Sequence, residues 1–321
     1  MQRQTARRLG AQLIGGAAVL LAVQPSHRLA AQTPQSPIRI FGYVQPRLQS
    51  IGDSAGFLLR RARIGVEGAI TPWARFRIQA DFRTWVSPTA GLSPAVQATD
   101  LYIQLSHRAL TATFGQYKVP FLYENMISSS AFELSDRTLA ADDAAPFRDI
   151  GASFAWTQGR VALTGAVMNG EGGNTAENPD KRMMYIERAA VAPVRGLVLA
   201  AAAVEKPDTT RWTADGELKC GALLARAAFV RLHRAGGDNA AGWYGLAAWM
   251  ARPDRLQLLA RVESYDPSDV TGGDATNAYT AAAQLLFKGD DLKLQASYGI
   301  YNEQGVELAN NRFVVQMQAR F

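Results

Sequence analysis

Arginine is the side chain with most chemistry to offer in the first third of this chain. Eight arginines lie between Ile38 and Arg83, against three carboxylates, Asp53, Glu67 and Asp81. A guanidinium stays charged at biological pH and presents a fork of donors that fits phosphate or carboxylate oxygens. In extended chain, successive side chains point to opposite faces, so residues two apart share one. By that spacing Arg39 and Arg47 face one way on a first strand, Arg61 and Arg63 on a second, and Arg75, Arg77 and Arg83 on a third. Three such strands side by side make a positive wall, along which an anion meets successive weak sites. The same arginines have a plainer use, which is to pair with Glu67, Asp81 and Asp100 and brace that wall.

Other chemistries have less to work with. The chain has three histidines, of which His107 and His233 fall on separate strands beyond the N-terminal segment. They make no cluster for a metal, and apart from the neighbour Ser106 there is no Ser/His/Asp set. Asn169-Gly170-Glu171-Gly172-Gly173-Asn174 is glycine-rich, but it joins two strands where a phosphate-binding loop would open a helix. No metal, no cofactor and no catalysis is expected.

The element that must position the arginines is the alternating strand. In Trp73 to Thr84, Phe76, Ile78, Ala80 and Phe82 share one face and Arg75, Arg77, Gln79, Asp81 and Arg83 the other. Leu292 to Tyr301 and Arg312 to Phe321 repeat the pattern. Segments of this kind number about 16, starting near Ile38, Phe57, Trp73, Gln97, Leu110, Arg148, Val161, Arg182, Leu197, Thr210, Leu223, Trp243, Arg255, Thr276, Leu292 and Arg312. Short turns such as Thr71-Pro72 and Gln158-Gly159 alternate with longer connections such as Val86 to Val96 and Glu171 to Lys181. An even number of strands about ten residues long, with turns on one side and loops on the other, is the pattern of a transmembrane antiparallel β-barrel. Both termini then lie on the periplasmic side. A soluble β-sandwich would use far fewer strands per domain.

Residues 1–31 read as a leader. Arg3, Arg7 and Arg8 precede an apolar stretch from Leu9 to Val23, and Leu29-Ala30-Ala31 supplies small residues for a cut after Ala31. The barrel is therefore expected over residues 32–321. Of 34 basic residues Arg3, Arg7, Arg8 and Arg28 leave with the leader, so 30 face 28 acids and the formal charge falls from +6 to +2. Nucleic acid is not an expected partner. With Cys220 as the single cysteine no internal disulfide forms, and a closed ladder of backbone hydrogen bonds must provide the stability instead.

One connection, Val119 to Phe147, is too long for a plain turn, and loops of that length usually serve a function. It carries Glu124, Glu133, Asp136, Asp142 and Asp143 against Arg137, with Ser128, Ser129 and Ser130 as hydrogen-bond donors. Folded into a wide lumen it would narrow the passage. Its surplus of acids runs against an anion path.

Three ordered stretches resemble the phosphate-selective porin O and P family. They are Phe57 to Gly68 (FLLRRARIGVEG), Phe114 to Phe121 (FGQYKVPF) and Phe147 to Gly151 (FRDIG), with RIQADF at Arg77 to Phe82 between the first two. The resemblance implies a 16-stranded outer-membrane channel, homotrimeric, with the long loop in the pore and Lys118 near the constriction. Phe321, ending an alternating strand, looks like the signal that outer-membrane proteins offer the barrel assembly machinery. The function implied is passive diffusion of small anions, phosphate or polyphosphate first, across the bacterial outer membrane. Two alternatives stay open. One is a general or sugar-preferring porin, using Tyr43, Tyr102 and Tyr301. The other is an outer-membrane hydrolase such as a phospholipase, using His107 or His233.

Overall fold

The computed structural model describes residues 38–86, 95–175, 177–305 and 308–321. The leader expected over residues 1–31 lies outside the described residues, as does the middle of the Val86 to Val96 connection. Sixteen strands are present among the described residues: β1 (Ile38–Ile51), β2 (Ser54–Thr71), β3 (Ala74–Asp81), β4 (Gln97–His107), β5 (Leu110–Lys118), β6 (Arg148–Gln158), β7 (Val161–Met168), β8 (Met184–Val191), β9 (Leu197–Lys206), β10 (Thr209–Cys220), β11 (Leu223–Arg234), β12 (Ala240–Arg252), β13 (Leu256–Asp266), β14 (Thr276–Lys288), β15 (Leu292–Glu303) and β16 (Arg312–Arg320). Each starts within three residues of the position expected from alternation. Each pairs antiparallel with its sequence neighbours, and β1 closes on β16 through pairs such as Tyr43 with Arg320 and Ser50 with Phe313. The chain is a closed antiparallel barrel.

Alternation produces this shape because each face finds a suitable solvent. Ile40, Val44, Ile64, Ile78, Ile103, Phe154, Tyr298 and Ile300 point outward and are exposed, as a lipid-facing surface requires. Inward positions on β13 to β16 and β1 include a run of hydrogen-bonded glutamines. Gln45 donates to Gln318 at 2.7 Å, Gln316 to Gln295 at 3.1 Å and Gln295 to Gln284 at 3.4 Å, while Gln284 donates to Gln257. This glutamine girdle ties β1, β16, β15, β14 and β13 along the lumenal face.

The connections fall on two rims. Short turns such as Gly159–Arg160 form the turn rim, and the longer ones form the loop rim. Two loop-rim links are nevertheless only two residues long, Gly52–Asp53 and Pro207–Asp208. Arg83 corrects the sequence reading, because β3 ends at Asp81 and Arg83 opens the short helix α1 (Arg83–Val86). The Asp81 carboxylate accepts the Arg83 N–H at 3.0 Å, and the Trp85 and Val86 N–H groups turn back to the Phe82 carbonyl. That local competition for backbone donors stops the strand.

A β-bulge sets the faces of β2. Gln45 pairs with Arg61 but Pro46 pairs with Leu59, leaving Arg60 as the extra residue. Pro46 has no N–H to lose, so the ladder breaks there at little cost. The extra residue puts Phe57, 87% exposed, on the outer face. Strict alternation from Arg61 would have turned it inward.

Phe321 closes the seam. It exchanges backbone hydrogen bonds of 3.1 Å with Gly42, and its ring lies over that glycine, where a Cβ would stand 2.7 Å from the ring and 2.5 Å from the Arg63 carbonyl. Two measurements follow. The barrel should migrate faster on gels before boiling than after it. Deleting Phe321 or introducing Gly42→Val should lower the amount of heat-modifiable barrel in outer membranes while leaving export unchanged. Normal barrel yield in both variants would separate the terminal residue from assembly.

Candidate functional site

The long connection lies inside the barrel and contains two short helices, α2 (Tyr123–Met126) and α3 (Leu139–Asp143). Its apolar side packs on an unusual stretch of lumen. Inward residues of β7 to β13, among them Met168, Ile186, Val204, Val230 and Leu232, form one buried cluster with Phe121, Leu122, Leu134 and Ala141 of the loop. Burying each large side chain contributes about 1.5–3 kcal/mol. The loop is thus part of the core of this half of the barrel.

Its polar groups are fixed to the same half and to the closing seam. Ser129 Oγ lies 2.7 Å from Tyr43 Oη, and Gln318 and Lys293 donate to the carbonyls of Ser130 and Phe132 at 2.9 and 2.8 Å. Arg226 holds Glu133 at 3.0 Å and also Glu217 at 2.6 Å. Arg261 donates to the Asp136 carbonyl at 2.9 Å, and Glu263 accepts the Leu139 N–H at 2.7 Å. Tyr265 donates to Asp143, and Arg188, paired with Asp215, donates to the Phe121 carbonyl. Ser128 caps the turn at Ser129–Ala131, and Ser129 and Ser130 are buried. The serines thus anchor the loop on β1 and β16.

The loop acids are absorbed in this way. Asp136 meets Arg47 at 2.9 Å, Arg60 at 3.5 Å and Arg312 at 3.9 Å. Burial alone would raise its carboxyl, but these three guanidiniums hold it at about 2. Glu124 is buried and accepts from the Thr138 hydroxyl at 2.7 Å and its N–H at 3.1 Å; burial pushes its carboxyl up.

What the loop leaves uncovered is the sector from β2 to β6. A cavity of about 310 Å³ lies there, lined by Arg63, Asp81, Gln97, Thr99, Phe147, Arg148 and Gly172 to Asn174. Arg63 pairs with Asp81 at 2.7 Å, Arg77 with Glu67 at 2.7 Å and Asp100 at 3.3 Å, and Arg148 with Asp100 at 2.8 Å. Three cations lack a close carboxylate. Arg61 donates to Gln45 at 2.9 Å and lies over Phe132. Lys118 donates to the loop carbonyl of Ile127. Arg137 sits between the rings of Phe132 and Phe147 at 5.0 and 5.1 Å, with Asp142 4.0 Å away.

Of the arginines expected on the wall, Arg47, Arg61, Arg63 and Arg77 are brought together in the lumen. Arg39, two-thirds exposed and 2.5 Å from Glu67, and Arg75, also exposed, stand at the turn rim, while Arg83 sits on α1. Strand parity missed Arg60, which the bulge brings to Asp136; Pro46 inside an alternating strand was its local signal. It also missed Arg188, Arg226, Arg261 and Arg312. Their inward parity was readable, but their loop partners are distant in sequence. Tyr43, Tyr102 and Tyr301 form no continuous track, being bonded to Ser129, set edge-on to Tyr117 and placed beneath Arg312 respectively. His107 ends β4 at the turn rim and His233 lies one residue from the loop-rim end of β11, so they share no site. Ser106 lies 3.3 Å from the Thr111 hydroxyl.

A closed sixteen-stranded barrel with a lipid-facing outer surface, a charged lumen and a long loop folded inside defines an outer-membrane porin, a channel of the bacterial outer membrane. The profile of the phosphate-selective porin O and P family matches residues 41–231, more than half of the chain, and the protein belongs to that family. No curated protein sequence matches it. Among solved structures it is similar to the anion-selective porin from Comamonas acidovorans, with a TM-score of 0.67 at 12% identity over 88% of this chain and 99% of that one. It is likewise similar to the outer-membrane expressed OmpT of Vibrio cholerae (0.63, 10%, 90% and 99%). Salmonella typhi OmpF in complex with daunomycin is a third (0.65, 10%, 88% and 97%). At these identities the likeness is one of fold.

The depressed Asp136 carboxyl gives the loop a pH dependence. A folded-state value below the ordinary 3.8 means that its stabilisation is present above about pH 4 and lost as pH falls through about 2. The difference corresponds to about 2 kcal/mol. Pepsin cleavage within residues 121–143 should therefore rise between pH 4 and pH 2. In Asp136→Asn it should be high at both values, and equal cleavage of the two proteins at pH 4 would show that the tether is unimportant.

Proposed function

We propose that this porin passes small anions by diffusion, without catalysis, through the cleft between the inner loop and the β2–β6 wall, phosphate being the first candidate. The observation carrying this reading is the segregation of charge across the loop. Glu133 and Asp136 are spent on Arg226, Arg47, Arg60 and Arg312. On the uncovered side Arg61, Arg63, Arg77, Lys118, Arg137 and Arg148 outnumber Glu67, Asp81, Asp100 and Asp142. An anion entering there exchanges water for guanidinium donors. The loop acids Glu133 and Asp136 are already paired, and the acids of the wall keep any one site from holding it too long. The same reading includes a leader at residues 1–31, delivery to the assembly machinery through Phe321, and a homotrimer in the membrane.

A general porin is the second reading, favoured by the number of wall arginines already engaged in ion pairs. Reversal potentials in planar bilayers under a salt gradient separate the two. Arg61→Gln with Arg137→Gln removes cations that lack a close carboxylate. Over a Debye length of about 8 Å they act on the whole cleft, and anion preference should fall roughly twofold while conductance persists. Arg39→Gln with Arg77→Gln removes partners of Glu67 and should change selectivity much less. Equal changes in the two pairs would leave the arginines as braces. Lys118→Gln should weaken phosphate block of chloride current.

A further inference from the structure

Register places four inward residues of the last strands in one row. Arg261 of β13 pairs with Thr280 of β14, Thr280 with Gly299 of β15, and Gly299 with Arg312 of β16. The row lies two inward positions beyond Gln257, on the loop-rim side of the glutamine girdle. Two guanidiniums thus flank a hydroxyl and a residue without a side chain. Leu134, Ser135 and Asp136 of the inner loop lie across the row, and Ser297 and Tyr301 complete the walls of a cavity of about 10 Å³.

The donors of this row are not all matched by the protein. Arg261, 4% exposed, gives Nη1 to the Asp136 carbonyl at 2.9 Å and pairs Nη2 with Glu263 at 2.7 Å. Its Nε is buried, as are Arg312 Nε and Thr280 Oγ1, and among the described residues none of the three has a hydrogen-bond partner. An unmatched buried donor is costly, more so on a charged group, so three around one cavity call for an acceptor inside it. Gly299 keeps that space open. A Cβ there would stand 2.9 Å from the Tyr301 ring, 3.3 Å from Thr280 Oγ1 and 3.5 Å from Tyr301 Oη.

Size and charge select the ligand. A cavity of about 10 Å³ has room for one particle near the size of water and excludes the four oxygens of phosphate. The lining carboxylate, Asp136, is met by Arg47, Arg60 and Arg312, and both its oxygens accept from Arg47, at 2.9 and 3.1 Å. With Arg261 added, and with Glu263 and the more distant Glu124 counted against them, four guanidiniums face three carboxylates. Water would accept from the three donors and leave the positive surplus as it stands. A monatomic anion accepts from the same donors and balances the charge.

We propose that the cavity over Gly299 is a halide site, in which chloride joins the guanidiniums of Arg261 and Arg312 and the Thr280 hydroxyl beneath the inner loop. Arg261 also holds the Asp136 carbonyl, and Arg312 stands 3.9 Å from the Asp136 carboxylate, so the ion ties the loop to the β13–β16 wall. It is a resident ion on the covered side of the loop, separate from any solute passing along the β2–β6 cleft. A ligand that binds only with the loop in place stabilises that placement by mass action.

The test uses the porin extracted from outer membranes in mild detergent, at pH 7 and constant ionic strength, with chloride exchanged for gluconate, which is too large to enter. Phe121, Tyr123 and Phe132 offer chymotrypsin sites in the loop. Chloride or bromide should slow cleavage there in a saturable way, on the order of tenfold at ten times the dissociation constant. Thr280→Val, which removes the hydroxyl at nearly constant shape, and Gly299→Ala, which fills the cradle, should each lose most of this halide dependence while heat-modifiable migration reports an intact barrel. In crystals soaked in bromide, an anomalous peak should stand over Gly299 between the two arginines and be absent from the Gly299→Ala protein. Wild-type cleavage indifferent to halide, or halide dependence equal in wild type and both variants, overturns the site. Protection by inorganic phosphate equal to that by chloride overturns it as well, since the donors would then serve a larger solute. A bromide peak with no effect on cleavage marks an adventitious ion only and overturns the tie between ion and loop. None of these readouts depends on ion selectivity, so their failure leaves the diffusion reading standing.

Discussion

In the hydrocarbon of a membrane no backbone N–H or C=O finds water, so every strand needs a partner on both sides. The pairing of β1 with β16 meets that demand, and the remaining architecture follows from it. Sixteen strands joined edge to edge enclose a lumen wider than side chains can fill. The chain fills part of it with its own long connection, and this choice divides the interior in two. From β7 to β13 the inward face is largely apolar and forms a core with the loop. From β2 to β6 it is charged and uncovered.

The division lets one set of ion pairs serve two ends. Glu133 and Asp136 fix the loop against Arg226, Arg47, Arg60 and Arg312. In doing so they remove negative charge from the side an entering solute would meet. The loop's cation, Arg137, is held the other way by Phe132 and Phe147. An acidic loop thereby becomes compatible with a basic cleft, although its composition alone points to an electronegative constriction. The glutamine girdle of β13–β16 and β1 performs the equivalent task without charge.

Much of the fold was legible because it repeats a two-residue period over nearly the whole chain. Alternation between an apolar and a polar face is a local property. It located every strand start to within three residues, and the outward parity of Ile64 or Ile78 needed no partner to be read. The family could be read from FLLRRARIGVEG, FGQYKVPF and FRDIG, and the matched profile agrees with it. The arginine pairs were legible as parity and illegible as contacts.

What the tertiary structure alone decided was register and pairing. A single extra residue at Arg60 reverses the faces beyond it and brings a guanidinium to Asp136. A carboxylate at Asp81 captures backbone donors and takes Arg83 off its strand. The loop acids find their cations on β1, β11 and β16 only once the barrel has closed and brought residues from opposite ends of the chain within 2.9–3.9 Å. Alternation is written in neighbouring residues and can be read along the chain. Ion pairing depends on distance in space, which closure of the sheet sets.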